Sequence, residues 1–209
     1  MNGSYCSNTT TLVTCADTNG CQQSTTVPCA GGGTLVCAGT YPTATCVGEQ
    51  PIGLYADQGI QGNHSTGVMV GWTIAVNTAV TLERFGVIFK GTTTDRHATF
   101  ALYTNNPSTS NPDALKAASV DRTLTTANSG RNEFAVTSPP TPVTLSPGTY
   151  WLMVTVNLNA TALGHGTATV PDRYFIQTWG NPLPNPVPAS TISTGSSADV
   201  NVYIIVLPQ

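Results

Sequence analysis

Sulfur and flat aromatic rings are the chemically distinctive groups of this chain. Six cysteines, Cys6, Cys15, Cys21, Cys29, Cys37 and Cys46, fall within the first 50 of its 209 residues, and none follows. Structural zinc sites use cysteine pairs two to four residues apart, often with histidine. Here the gaps are eight, five, seven, seven and eight residues, and the first histidine is His64. The same segment contains no Trp, Phe or Ile, and only Asp17 and Glu49 are charged, so it cannot build an ordinary apolar core. Three disulfides are expected instead, each typically worth ~2–4 kcal/mol, with their connectivity left open by the sequence.

The aromatic candidates lie far downstream. A sugar's apolar C–H face stacks on a π surface while Asn, Gln or Asp bonds its hydroxyls. Trp179 suits that role: it follows a β-prone run and opens the segment Gly180-Asn181-Pro182-Leu183-Pro184-Asn185-Pro186-Val187-Pro188, whose prolines reduce the ordering entropy lost on binding. Trp179, Asn181, Tyr174 and Tyr103 are the candidate ligand contacts. The competing reading is architectural: Trp179 folds back over a sheet edge while the prolines block strand pairing. Trp72 and Trp151 lie inside β-prone runs, where core packing is the ordinary fate.

Recognisable catalytic patterns are missing. There is no Gly-x-Ser-x-Gly elbow, His-Glu-x-x-His pair, phosphate-binding loop or dinucleotide fingerprint. The ten acids are dispersed, with no pair spaced to present two carboxylates for acid–base work. His64, His97 and His165 are expected in loops, and Asp95-Arg96-His97 reads as a charged hairpin turn rather than a catalytic or cation site. Asp57, Asp113 and Asp199 are candidates for a structural calcium, although no Asp-x-Asp spacing supports one. The chain is expected to have no enzymatic activity, no resident metal and no cofactor beyond that calcium.

Composition narrows the partners. Charged residues make up 8% of the chain, the formal net charge is -3, and two lysines with five scattered arginines form no basic stripe, which argues against nucleic acid. No run approaches the ~18 apolar residues that span a bilayer, so membrane insertion is not expected. A neutral surface rich in Thr, Ser, Asn and Gly, joined to a cysteine-dense segment, suits a secreted or cell-surface protein. The N-terminus lacks a signal-peptide pattern and is read as that of a mature fragment. Sequons at Asn2, Asn8, Asn63 and Asn159 are explained by the abundance of Ser and Thr.

The elements that must position these residues are strands. In the cysteine segment, Thr-Leu-Val-Thr-Cys15, Thr-Thr-Val-Pro-Cys29 and Thr-Leu-Val-Cys37 are short β-prone runs, with turns at Asn19-Gly20 and Gly31-Gly32-Gly33. Beyond Gln50, alternation predicts strands at Val68–Val76, Val80–Phe89, Ala98–Tyr103, Glu133–Thr137, Thr149–Val156, Arg173–Thr178 and Val200–Leu207, with another near Ile52–Tyr55. Within the fifth of these, Tyr150, Leu152, Val154 and Val156 share one face and Trp151, Met153 and Thr155 the other. Pro112–Ala118 is the single helical hint, read as one turn. The expected fold is all-β: a jelly-roll-like antiparallel β-sandwich over 51–209, preceded by a small disulfide-rich β module over 1–50.

The order Phe100-Ala-Leu-Tyr103, Pro112-Asp-Ala-Leu115, Gly130-Arg-Asn132 and Leu145-Ser-Pro-Gly-Thr-Tyr-Trp-Leu152 resembles a jelly-roll module that recurs in exported bacterial surface proteins. The resemblance covers about 55 residues, and its most specific piece is Leu-x-x-Gly-x-Tyr-Trp. It implies an accessory role in surface binding or display and transfers no catalytic residue. The leading expectation is a non-catalytic extracellular module that recognises polysaccharide or another surface glycan. The alternative is a structural subunit of an extracellular fibre, coat or appendage, joining identical subunits through the cysteine-rich arm.

Overall fold

Alternating apolar residues dictate strands, and all paired strands among the described residues are antiparallel. A computed structural model describes the backbone of residues 2–8, 11–16, 24–28, 30–31, 33–38 and 45–47. It describes residues 48–91, 94–125, 129–140, 142–166, 172–195 and 200–209 in full. Among them there is no α-helix, and no helix long and apolar enough to cross a membrane.

In the cysteine segment, β1 (Asn2–Asn8), β2 (Thr11–Ala16) and β3 (Ser24–Pro28) form one sheet. β4 (Ala30–Gly31), β5 (Gly33–Ala38) and β6 (Thr45–Gly48) form a second. The cysteine side chains, and so the expected disulfides, lie outside the described residues. The backbone register nevertheless sets Cys37 opposite Cys46. Residues directly opposed in an antiparallel pair have Cα atoms about 4.5–5.5 Å apart, inside the ~4.4–6.8 Å range of disulfides. Non-reducing peptide mapping of the oxidised chain is therefore expected to return a Cys37–Cys46 cross-linked peptide. Either residue joined to a different cysteine would overturn that expectation.

The rest of the chain forms β7 (Gln50–Gly53), β8 (Ile60–His64), β9 (Val68–Val76), β10 (Val80–Phe89) and β11 (Arg96–Asn106). There follow β12 (Asn111–Leu124), β13 (Gly130–Ala135), β14 (Val143–Leu145), β15 (Gly148–Val156) and β16 (Thr161–His165). β17 (Arg173–Ile176), β18 (Ser193–Thr194) and β19 (Val202–Pro208) complete it. One sheet runs β7-β19-β10-β16-β8, with β13 and β14 also paired to β10; the other runs β12-β11-β15-β9-β17-β18. Gln50 stands opposite Val206, so the strand that begins this part of the chain lies beside the one that ends it.

The alternation in β15 sorts side chains as its sequence requires. Tyr150, Leu152, Val154 and Val156 face inward with Trp72, Phe100 and Leu102, and meet Phe85, Val87, Phe89, Val202 and Ile204 of the opposite sheet in a shared core. Phe100 stacks on Phe85 at 6.0 Å and on Phe134 at 5.6 Å. Such rings supply the largest burial per residue, roughly 1.5–3 kcal/mol each.

Trp151 and Met153 point the other way. With Met69, Ala101, Tyr103 and Phe175 they form a second apolar cluster on the outer face of the six-stranded sheet, and Leu183, Val187 and Ile192 cover it. The proline-rich segment is thus a strap laid across that sheet. It is tied down where the Val187 N–H donates to the Asp113 carbonyl at 2.9 Å and the Leu115 N–H donates to Asn185 Oδ1 at 3.0 Å.

Two expectations are corrected here. Pro112–Ala118 is not a helical turn: it is part of β12, which pairs along β11 through three register shifts. The three histidines are not in loops but in strands, His64 in β8, His97 in β11 and His165 in β16.

Candidate functional site: a cleft beside Trp179

A cleft of about 410 Å³ opens on the outer face of the six-stranded sheet, between the strap and β12. Thr99 and Thr155 form its floor, since each continues the outward alternation that Ala101, Tyr103, Trp151 and Met153 begin. Residues Gln177 to Leu183 make one wall, Val120 and Asp121 the other.

The strap wall is held by a buried amide. Gln177 is 6% exposed, and its side-chain nitrogen donates to the carbonyls of Asn181 at 3.0 Å and Thr178 at 3.2 Å. The turn between them closes with the Asn181 N–H donating to the Thr178 carbonyl at 3.1 Å, and Gly180 supplies the positive φ of 81° that it needs. Trp179 is carried on this turn, half-buried, beside exposed Asn181.

A bulge builds the other wall. Ala98 pairs with Arg122 and Phe100 with Ser119, so Val120 and Asp121 together oppose the single residue Thr99. Asp121 adopts φ 50°, a left-handed conformation that Asp tolerates better than most residues. The bulge turns its carboxylate onto His97, whose Nδ1 donates to Asp121 Oδ1 at 2.6 Å. The His97 ring stands edge-on to Trp179, 6.4 Å between centroids. Its backbone N–H donates to Asn157 Oδ1 at 2.8 Å, which holds the main chain that carries the ring. The side chains of His97 and Asp121 are 39% and 71% exposed, so the contact itself contributes little stability; its role is placement.

Thr99 and Thr155 are opposite one another in the β11–β15 register, yet differ in hydrogen bonding. The Asp121 N–H donates weakly to Thr99 Oγ1 at 3.4 Å, whereas the Thr155 hydroxyl, in a residue 3% exposed, has no partner.

Of the four contacts expected from sequence, Trp179 and Asn181 meet in the cleft. Tyr103 does not: its side chain is wholly buried in the second apolar cluster, where burial raises its hydroxyl pKa, so it offers no rim contact. Tyr174 is half-buried on β17 opposite Ser193 and does not line the cleft. Thr99, Thr155, Asp121 and Gln177 were not singled out. Only the outward parity of Thr155 was visible in advance.

Two further polar groupings lie elsewhere. The Asp57 carboxylate is bonded to Lys90 Nζ, at 2.7 Å from Oδ2, which with the Gly59 N–H lowers its pKa. Asp199 is outside the described residues. Among the described residues, no group of three or more His, Cys, Asp or Glu side chains could hold a metal ion.

His64 and His165 meet between β8 and β16, with Nε2 atoms 2.9 Å apart and ring centroids 5.1 Å apart. Because the centroids are so much farther apart than the nitrogens, the rings point at one another in an N–H···N hydrogen bond. Two metal ligands would converge on a third point instead. A Cβ on Gly62 would fall 2.3 Å from the His165 ring, so the bare backbone of β8 makes room for this pair. Burial, reinforced by its neighbour His165, lowers the His64 pKa to about 4, and burial lowers that of His165.

No protein-family model, curated protein or solved structure matches the chain.

Proposed function

We propose that the chain is a non-catalytic module of the cell exterior that binds carbohydrate in the cleft beside Trp179. In this reading the two-sheet body is a jelly-roll sandwich and the cysteine segment a disulfide-stapled module preceding it. The observation that carries the reading is a half-exposed indole on the wall of a cleft whose surface is largely apolar and is bordered by the polar side chains of Thr99, Thr178, Asn181 and Asp121. That pairing of one flat apolar face with several hydrogen-bonding groups suits a sugar, whose own surface is divided the same way. The low charge of the chain and its cysteine-dense start support the extracellular setting.

Co-sedimentation with a panel of insoluble polysaccharides tests it. The wild-type chain is expected to sediment with at least one, and Trp179→Ala to lose about tenfold or more in affinity, as truncation of a central aromatic anchor does. Retention of Trp179→Ala at wild-type levels would remove the indole from the site. Failure of the wild-type chain to sediment with any member would remove the carbohydrate.

A further inference from the structure

We propose that the cleft selects an uncharged, hydroxyl-bearing unit, such as a neutral sugar residue, and that Thr155 on its floor is a specificity-determining contact. This rests on the reading of the cleft as a carbohydrate site.

Charge comes first. None of the residues lining the cleft is basic, and the charged one is Asp121. A uronate, sulfate or phosphate brought there would meet a carboxylate with no lining cation to offset it. A sugar hydroxyl meets acceptors and donors without that charge repulsion, so the lining discriminates by what it repels as well as by what it holds.

Thr155 supplies the second observation. Its hydroxyl is covered and unpartnered, although the residue forms the cleft floor and its opposite number Thr99 is engaged by the Asp121 N–H. A buried hydroxyl without a partner destabilises the free protein, and a valine of the same shape removes that cost. In this proposal a 120° step about the Cα–Cβ bond moves the hydroxyl into the place of the methyl, and the methyl into that of the hydrogen, and so presents the oxygen to the cleft. A ligand hydroxyl seated on the floor then gives Thr155 the partner it lacks. The hydroxyl is a burden when the cleft is free and an asset when it is filled, which a purely structural threonine would not be.

The test titrates neutral gluco-, manno-, galacto- and xylo-oligosaccharides into the full chain by calorimetry, with oligogalacturonate and a sulfated oligosaccharide as acidic counterparts. At least one neutral probe is expected to bind, and the acidic probes at least about tenfold more weakly. Thr155→Val should weaken that neutral probe about fivefold or more while leaving Tm unchanged or raised, and Thr155→Ser should keep most of the affinity. Wild-type affinity in Thr155→Val, with binding lost in Trp179→Ala, overturns the role of Thr155 and leaves the cleft standing. Tighter binding of an acidic probe overturns the selection of neutral ligands. Binding indifferent to Trp179→Ala, or no binding of any neutral probe, overturns the cleft itself and this inference with it.

Discussion

Gly71→Ala is expected to lower the unfolding free energy by about 3 kcal/mol or more, at the upper end of what overpacking usually costs. The added Cβ would lie 2.0 Å from the Leu152 carbonyl oxygen and 2.7 Å from the Met153 Cα. Both are backbone atoms of β15, the strand paired with β9 in the middle of the six-stranded sheet. A side chain in the way could turn to another rotamer, but a backbone cannot, so relief requires the two strands to part. That would open the pairing from Val70 to Val76.

Gly164 provides the contrast. A Cβ there would lie 3.0 Å from Cβ and Cγ2 of Ile88 and 3.3 Å from Cβ of Asn201, tight by a few tenths of an ångström rather than a backbone clash, so Gly164→Ala should cost clearly less. Denaturant unfolding followed by tryptophan fluorescence reads both, since Trp72 and Trp151 are each buried against this sheet. Equal stabilities in Gly71→Ala and wild type would mean that β9 and β15 do not pair in this register.

Acidification should be the second large effect. The folded state holds His64 with a pKa near 4, against about 6.5 when the chain is unfolded. Its neutral form is therefore favoured by folding, and the unfolded chain binds the extra proton between those values. By linkage the stabilisation is complete above about pH 6.5 and is lost as the pH falls toward 4. The loss is expected to be roughly 2–3 kcal/mol.

The lowered pKa of His165 acts in the same direction, while Asp57, whose pKa is held below 3.8, contributes its loss only at lower pH. Unfolding free energies measured at pH 7 and pH 4.5 should differ by this amount in the wild type and by much less in His64→Asn. A wild-type stability that is flat across the interval would mean that the imidazoles are not buried against one another.

How much of this was legible depended on whether neighbouring residues carried the signal. The spans Val68–Val76 and Val80–Phe89 of β9 and β10, and the two faces of β15, follow from alternation alone, because each strand has one side in the core and that side must be apolar. β12 was not legible. Its Pro-Asp-Ala-Leu-Lys-Ala-Ala sequence has helical character, and what makes it a strand is the long edge of β11, which no local pattern announces. β8 and β16 were missed for a related reason: Gly62 and Gly164 weaken their β-propensity, yet those glycines make room for His165 and for Ile88 with Asn201.

The cleft was half visible. Trp179 and Asn181 stood out by residue type and by the prolines that follow them. Asp121 could not, because it joins the site only through a bulge, and the neighbour expected of His97 was Asp95, two residues away, rather than one 24 residues on. The strap misled in the other direction. Its prolines read as a stiff loop or as a block on strand pairing at a sheet edge, but Leu183 and Val187 had to cover an apolar outer face whose existence depends on the sheet being assembled first.

The side-by-side placement of β7 and β19 has a mechanical consequence. Gln50 and Val206 lie at the same end of that pair, so a pull applied through both would strain its hydrogen bonds one after another rather than all together. Loaded in that way β7 peels away from β19 bond by bond, while β19 remains paired with Val80 to Val87 of β10.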